Sequence, residues 1–179
     1  MTTLTQISND TTPGGDRPKP EWRKYFGFSH DHKVIGIQYL VTSFFFYLIG
    51  GALAAAVRTE LATPASDFVS PELYNSLFTL HGTVMIFLWI VPSTAGFINY
   101  LVPLMIGARD MAFPRLNAVA FWMLPPSGLL LMSSFFVGPA SAGWTSYPPL
   151  STMGPVAGEL IWILSVLLLG TSSILGAIN

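Results

Sequence analysis

A chain of 179 residues in which 51% are apolar and only 9% charged departs far from a soluble domain, where about 25% is charged, and belongs in a membrane. Eight Lys and Arg against nine Asp and Glu give a net charge of -1, with no basic stripe for a phosphate backbone, which excludes a nucleic-acid partner. The absence of Cys removes disulfide frameworks, thiolate zinc sites, iron-sulfur clusters and thiol nucleophiles, so metal chemistry must use His, Met or oxygen ligands.

Residues 1–33 read as a polar tail and interfacial anchor. The first 20 are rich in Thr, Pro, Gly and Asp, a composition too polar to offset the entropy of ordering, and are expected to be disordered. No short apolar core with a small-residue cleavage site occurs there, so a secretory signal is not expected and the mature chain keeps its own start. The run EWRKYFGF (21–28) mixes aromatic rings with Arg23 and Lys24, which suits headgroup depth.

The uncharged stretch 34–57 makes a first span, about 36 Å long as a helix against a hydrocarbon core of about 30 Å. Residues 73–108 are also uncharged, about 54 Å if helical, which is too long for one crossing and too short for two with a turn. One long, overhanging span over 73–106 is therefore expected. A third covers 116–137, after which Gly138, Pro139, Gly143, Pro148 and Pro149 make 138–158 an ordered outer loop. The last apolar run, 160–179, barely crosses and ends without a polar flank, so the chain is expected to be cut off in or at the end of a fourth span. Five cations precede the first span (Arg17, Lys19, Arg23, Lys24, Lys33), Arg58 alone follows it, and Arg109 and Arg115 lie between the second and third. That bias puts the N-terminus and residues 109–115 inside. The expected fold is an all-α membrane protein of four transmembrane helices, without an internal repeat or the inverted symmetry of many transporters.

Only three His occur. His30 and His32 lie in the charged flank SHDHK and are read as interfacial, whereas His81 stands about 12 Å inside the second span, where an imidazole needs either a hydrogen-bond partner or a metal. A neighbouring carbonyl or hydroxyl would serve, and so would haem iron, with Gly82 leaving room for a flat macrocycle. Asn99 follows His81 by 18 residues, five turns, which puts both on one face if the helix is straight. Asp110 is either a surface acid paired with a nearby Arg or the mouth of a proton-conducting chain. Ser165, Ser172 and Asn179 recur at intervals of seven, a stripe that by itself suggests bonds within one helix or close packing. Arg58 can snorkel to headgroups or, beside a haem at His81, bond an electron-withdrawing substituent. Trp144 and Tyr147 are interfacial aromatics or the roof of such a site.

The strings LHGTVMIFLWIVP (80–92), NYLVPLMIGARDMAFPRLNAVAFWMLPP (99–126), GWTSYPPL (143–150) and SSILGAIN (172–179) resemble subunit I of the haem-copper oxidases, in the cytochrome c oxidase branch, over about residues 31–179. The resemblance implies the first four of that subunit's twelve helices. It implies that His81 binds the low-spin haem, usually haem A, that Arg58 faces its formyl group, and that Trp144 stands near its propionates. By the same resemblance Asp110 is the entrance of a proton pathway lined by Asn99, Asn117, Tyr39, Ser172, Ser173 and Asn179. Ala120 departs from the pattern, since many relatives have Ser there. Glu60 resembles a peripheral cation-binding acid, although Ala65 stands where some relatives have Gly. Quinol-oxidising relatives have His and Gln where this chain has Leu73 and Ser76, which favours cytochrome c as donor.

The whole enzyme implied reduces O2 with electrons from cytochrome c, in a bacterial plasma or thylakoid-type membrane, with subunits II and III as partners. Its high-spin haem and copper ion cannot be assembled here, because His81 is the only His within a span. The rival readings are a non-catalytic truncated membrane polypeptide and a quinol-oxidising relative.

Overall fold

A computed structural model describes residues 21–62, 64 and 68–179. The tail expected over 1–20, and Ala65, lie outside these. Four helices among the described residues are long and apolar enough to cross a membrane: α1 (His32–Glu60), α2 (Pro71–Ile106), α3 (Pro114–Ser134) and α4 (Val156–Ile178). The described chain is all-helical, with a six-residue 3-10 turn, Glu21–Phe26, before α1 and a single turn, Leu150–Met153, before α4.

The helices do not end where the uncharged stretches end, because caps set their limits. Asp31 precedes α1 and its carboxylate accepts the Lys33 amide at 2.8 Å, so the helix starts at His32 and takes in Arg58 and Glu60 at its other end. Gln38 donates to the carbonyls of Tyr25 and Gly27 at 3.1 and 2.9 Å, which folds the aromatic anchor onto α1. In α2, Ser70 caps with its hydroxyl and Pro71 occupies the first turn. Gly107 ends the helix at φ 70°, where the Ala108 amide reaches back to the Pro103 carbonyl at 2.8 Å. The third helix stops at Ser134, three residues before the expected limit, and α4 begins at Val156, four residues before its own.

The middle of α2, Val84–Ile90, is π-helical, and the Val91 amide bonds the Ile86 carbonyl five residues back. Pro92 accounts for this. Its ring crowds the carbonyl four residues before it and it has no N–H to offer, and a wider turn relieves both. Ser93 and Thr94 donate their hydroxyls to the Ile90 carbonyl at 3.0 and 2.9 Å. The even five-turn spacing expected between His81 and Asn99 therefore does not hold.

Hydrocarbon offers no hydrophobic drive between helices, so close approach and interhelical hydrogen bonds decide the packing. α1 meets α2 at Gly36 and Gly96, where a β-carbon on Gly96 would lie 3.0 Å from the Gly36 carbonyl oxygen, and again at Gly50, which packs against Met85 and Val84. Gly128 of α3 receives the Phe46 ring of α1. The α3–α4 pair is bonded across: Ser165 donates to the Ser127 carbonyl at 2.8 Å and Ser172 to the Ala120 carbonyl at 2.7 Å. These serines thus do not bond back within α4, as the stripe alone suggested, because Ser127 and Ala120 are fully buried against it. Ile35, Leu80, Val84, Leu88, Leu124 and Leu131 fill the centre.

Gly96→Leu should cost about 1–3 kcal/mol through overpacking, read as a lower thermal unfolding midpoint of the detergent-solubilised protein. Gly51→Ala, with no atom within 4 Å of its β-carbon, is the control expected to leave the midpoint in place.

Candidate functional site

Polar side chains gather at two levels of the bundle, one towards Trp144 and one towards Asp110. At the first, His81 projects from α2 to α1 and its Nδ1 lies 2.9 Å from the Gly50 carbonyl oxygen. A carbonyl can only accept, so Nδ1 carries a proton, and in the neutral imidazole Nε2 keeps a free lone pair. That is the tautomer a metal-binding imidazole needs, with the ring oriented by a backbone acceptor. A single imidazole with its other nitrogen so occupied fits one axial position of a haem iron, and the described residues contain no cluster of three or more metal-ligating side chains.

Gly82, next to His81, has no side chain to crowd the loop packed over it. The nearest atom to a β-carbon built there is Cδ1 of Trp144, at 3.8 Å. Trp144 also meets the Phe87 ring edge-on at 6.0 Å between centroids. Its loop is held at two points. The Gly143 amide donates to the Thr79 hydroxyl at 2.9 Å, and the Ser146 hydroxyl donates to the Glu159 carboxylate. Ser146 sits at φ 50°, a left-handed conformation that costs a non-glycine residue about 1–3 kcal/mol and persists only where neighbours impose it. Arg58 does not stand level with His81. It follows Gly50, whose carbonyl His81 meets, by eight residues on α1, about 12 Å further along the axis.

At the other level, Tyr39, Asn99, Ser172 and Ser173 line one cavity of about 350 Å³ between α1, α2 and α4, along with Met111 and Pro92. Tyr39 stands beside Ser172. Three further expected residues surround its Asp110 end without lining it. Asp110 is half-buried and its carboxylate accepts the Met111 amide at 2.7 Å. Asn117 is buried in α3, and Asn179 accepts the Phe113 amide at 2.7 Å. Asn99 Oδ1, Asn117 Nδ2 and Asn179 Nδ2, like Gln38 Oε1 near the anchor, are buried amide atoms without a partner among the described residues. Such groups cost about 1–3 kcal/mol each if nothing satisfies them, and Asn99, the one that lines the cavity, marks a place suited to ordered water. At Ala120 the bundle presents a backbone carbonyl to Ser172 in place of a side-chain hydroxyl.

His32 was read as interfacial, and the structure corrects this: it is 2% exposed and its Nδ1–H donates to the Asn99 carbonyl at 2.9 Å. The Asp31 cap places His32 in the first turn of α1, and its burial follows from α2 packing over that turn. His30 remains exposed, edge-on to Phe28. Thr79 and Glu159 carried no motif and were also missed. At Glu60, Oε2 accepts the Val69 amide at 3.0 Å, which closes the α1–α2 turn.

The chain matches the family model described as cytochrome C and quinol oxidase polypeptide I over residues 34–179. A cytochrome c oxidase subunit 1 of Synechocystis sp. is 70% identical over 164 residues, 92% of this chain and 30% of that relative. The protein of that name from Thermostichus vulcanus is 65% identical over 166 residues, 92% and 30% of the two chains. One from Corynebacterium glutamicum is 46% identical over 153 residues, 83% and 26%. The chain thus spans under a third of the length of these curated relatives.

Asn99→Leu should lower the stability of the full-length subunit by about 1 kcal/mol or more, read from its thermal unfolding midpoint, because it removes the Nδ2–Ala95 bond and the partner of an ordered water at Oδ1. An unchanged or higher midpoint would mean that no water pairs with Oδ1.

Proposed function

Because this chain belongs to the cytochrome c and quinol oxidase polypeptide I family, we propose that it is the N-terminal part of the catalytic subunit of a cytochrome c oxidase, which reduces O2 to water with electrons from cytochrome c and translocates protons. The observation that carries the reading is the His81 imidazole, with Nδ1–H committed to the Gly50 carbonyl and Nε2 free. A low-spin haem A bound there supplies one-electron transfer. His81 would hold it through Nε2, with the bond to Gly50 fixing the ring and strengthening that donor nitrogen. Gly82 would give the macrocycle room, Arg58 would bond an electron-withdrawing substituent, and the Trp144 indole N–H would serve its carboxylate groups. The described residues hold no cluster of three or more metal ligands that would take a copper ion.

Asp110 collects protons at the end of the bundle that the cation bias assigns to the inside. From there Asn117, Asn179 and Asn99, then Tyr39, Ser172 and Ser173, order water through the cavity, and the three unpartnered amide atoms support this role. Leu73 and Ser76, in place of the quinol-site pair, favour cytochrome c as the donor. The partners are oxidase subunits II and III and the lipid of a bacterial plasma or thylakoid-type respiratory membrane.

His81→Ala in the full-length subunit should abolish the low-spin haem absorption band, while an unchanged spectrum would remove the ligand assignment. Asp110→Asn should lower turnover about tenfold or more, equivalent to about 1.4 kcal/mol on the barrier, and lower proton ejection from reconstituted vesicles in parallel. Normal pumping would exclude Asp110 as the entrance.

A further inference from the structure

We propose that Glu159 is a positioning residue: through Ser146 it fixes the loop that seats Trp144 against the His81–Gly82 face. The inference deepens the reading of His81 as a haem ligand and rests on it for its effect on the haem.

Trp144 lies between two anchors only three residues apart. On one side the Gly143 amide is bonded to Thr79 of α2, two residues before His81 on the same helix; on the other the Ser146 hydroxyl is bonded to Glu159 in the first turn of α4. The Ser146 amide closes the turn on the Gly143 carbonyl at 3.1 Å. With both ends of so short a turn tied to different helices, the indole has little freedom, and it rests on Gly82 and Phe87. The Thr79 anchor is itself fixed, since that hydroxyl donates to the Asn75 carbonyl at 2.7 Å and the residue is 1% exposed. The Glu159 anchor differs in kind. It is the one carboxylate in the pair, its acceptor strength exceeds that of a neutral oxygen, and it holds Ser146 in a left-handed conformation that the residue would otherwise leave. Glu159 also suits the positive end of the α4 dipole, a role that needs the charge but not the Ser146 bond. The two roles can therefore be separated.

The test uses the intact oxidase with S146A, E159A or E159Q. Two quantities are read: amide hydrogen exchange of the 141–149 segment by mass spectrometry, and the midpoint potential of the low-spin haem. S146A and E159A should each speed exchange about tenfold or more, the range for losing a bond to an ionised acceptor, and move the potential in the same direction. E159Q, which keeps an acceptor oxygen but loses the charge that strengthens it, should fall between the parent and E159A in both. Parent-like exchange in S146A would overturn the tether, and this variant decides the matter if E159A does not assemble. Faster exchange with an unmoved potential would make the contact structural only. A shift in E159Q as large as that in E159A would assign the effect to the helix-end charge. Should H81A keep the low-spin band, the haem reading fails, while the exchange measurement still tests the tether.

Discussion

The bundle depends on one kind of bond: a side-chain donor on one helix given to a backbone carbonyl on the next. A helical carbonyl keeps a second lone pair after accepting its own intrahelical bond, and in hydrocarbon a hydroxyl of its own helix or a donor on a neighbouring helix can use it. His32 of α1 donates to Asn99 of α2, and His81 of α2 donates to Gly50 of α1. The two donors and two acceptors are spaced 18 residues apart on each helix, so the antiparallel pair is stitched at both levels in one register. The α3–α4 pair repeats the device with Ser165 on Ser127 and Ser172 on Ala120, seven residues apart on each helix. Asn179 on the Phe113 amide continues the step with donor and acceptor exchanged. Each such bond is worth only about 0.6 kcal/mol in a membrane, so their effect is on register. A slip of one residue would lose every bond on that seam.

Register in turn decides where space is left. Gly36 against Gly96 and Gly50 against Met85 bring α1 and α2 close, and the wide turns of Val84–Ile90, with Val84 and Leu88 buried in the core, lead into Pro92. The cavity that contains Tyr39, Asn99, Ser172 and Ser173 has Pro92 in its wall. Ser172 belongs to both arrangements, bonding α3 with its hydroxyl and facing the cavity beside Tyr39. The polar groups that hold the helices in step are thus the ones available to order water between them.

Much of this was legible in the residues. Uncharged runs mark spans because a charge inside hydrocarbon is expensive, and Gly138, Pro139, Pro148 and Pro149 separated the ordered loop from α3. The strings at 80–92, 99–126, 143–150 and 172–179 pointed to the residues that the structure gathers at its two levels. What stayed hidden was relational. That Ser165 and Ser172 bond outward depends on which carbonyl faces them, and nothing local to α4 reveals the α3 register. The burial of His32 depends on α2 lying over it, and the π-helical turns depend on how the chain relieves the crowding at Pro92, for which a kink was an equal solution. Glu159 and Thr79 were invisible for the same reason, since each matters through a loop residue 13 or 64 positions away.

The orientation of His81 by a backbone carbonyl has a consequence for how its surroundings divide the work. A side-chain partner could be replaced by a stronger or weaker acceptor, but the Gly50 carbonyl is present whatever residue stands there, so the tautomer is set by helix register and is insulated from substitution. Gly50 itself is constrained separately, because a β-carbon there would meet Met85 and Val84. Adjustment is then left to groups on the Nε2 side and at the periphery: Gly82, the indole of Trp144, and Arg58. Arg58 shares α1 with the carbonyl that orients the ring, and a helix without an internal break keeps the two about 12 Å apart along its axis. Trp144 has no such rigid link, since a loop carries it, which is why its place depends on the bonds at Thr79 and Glu159. Arg58 is thus positioned by helix geometry, and Trp144 by two hydrogen bonds that single substitutions can remove.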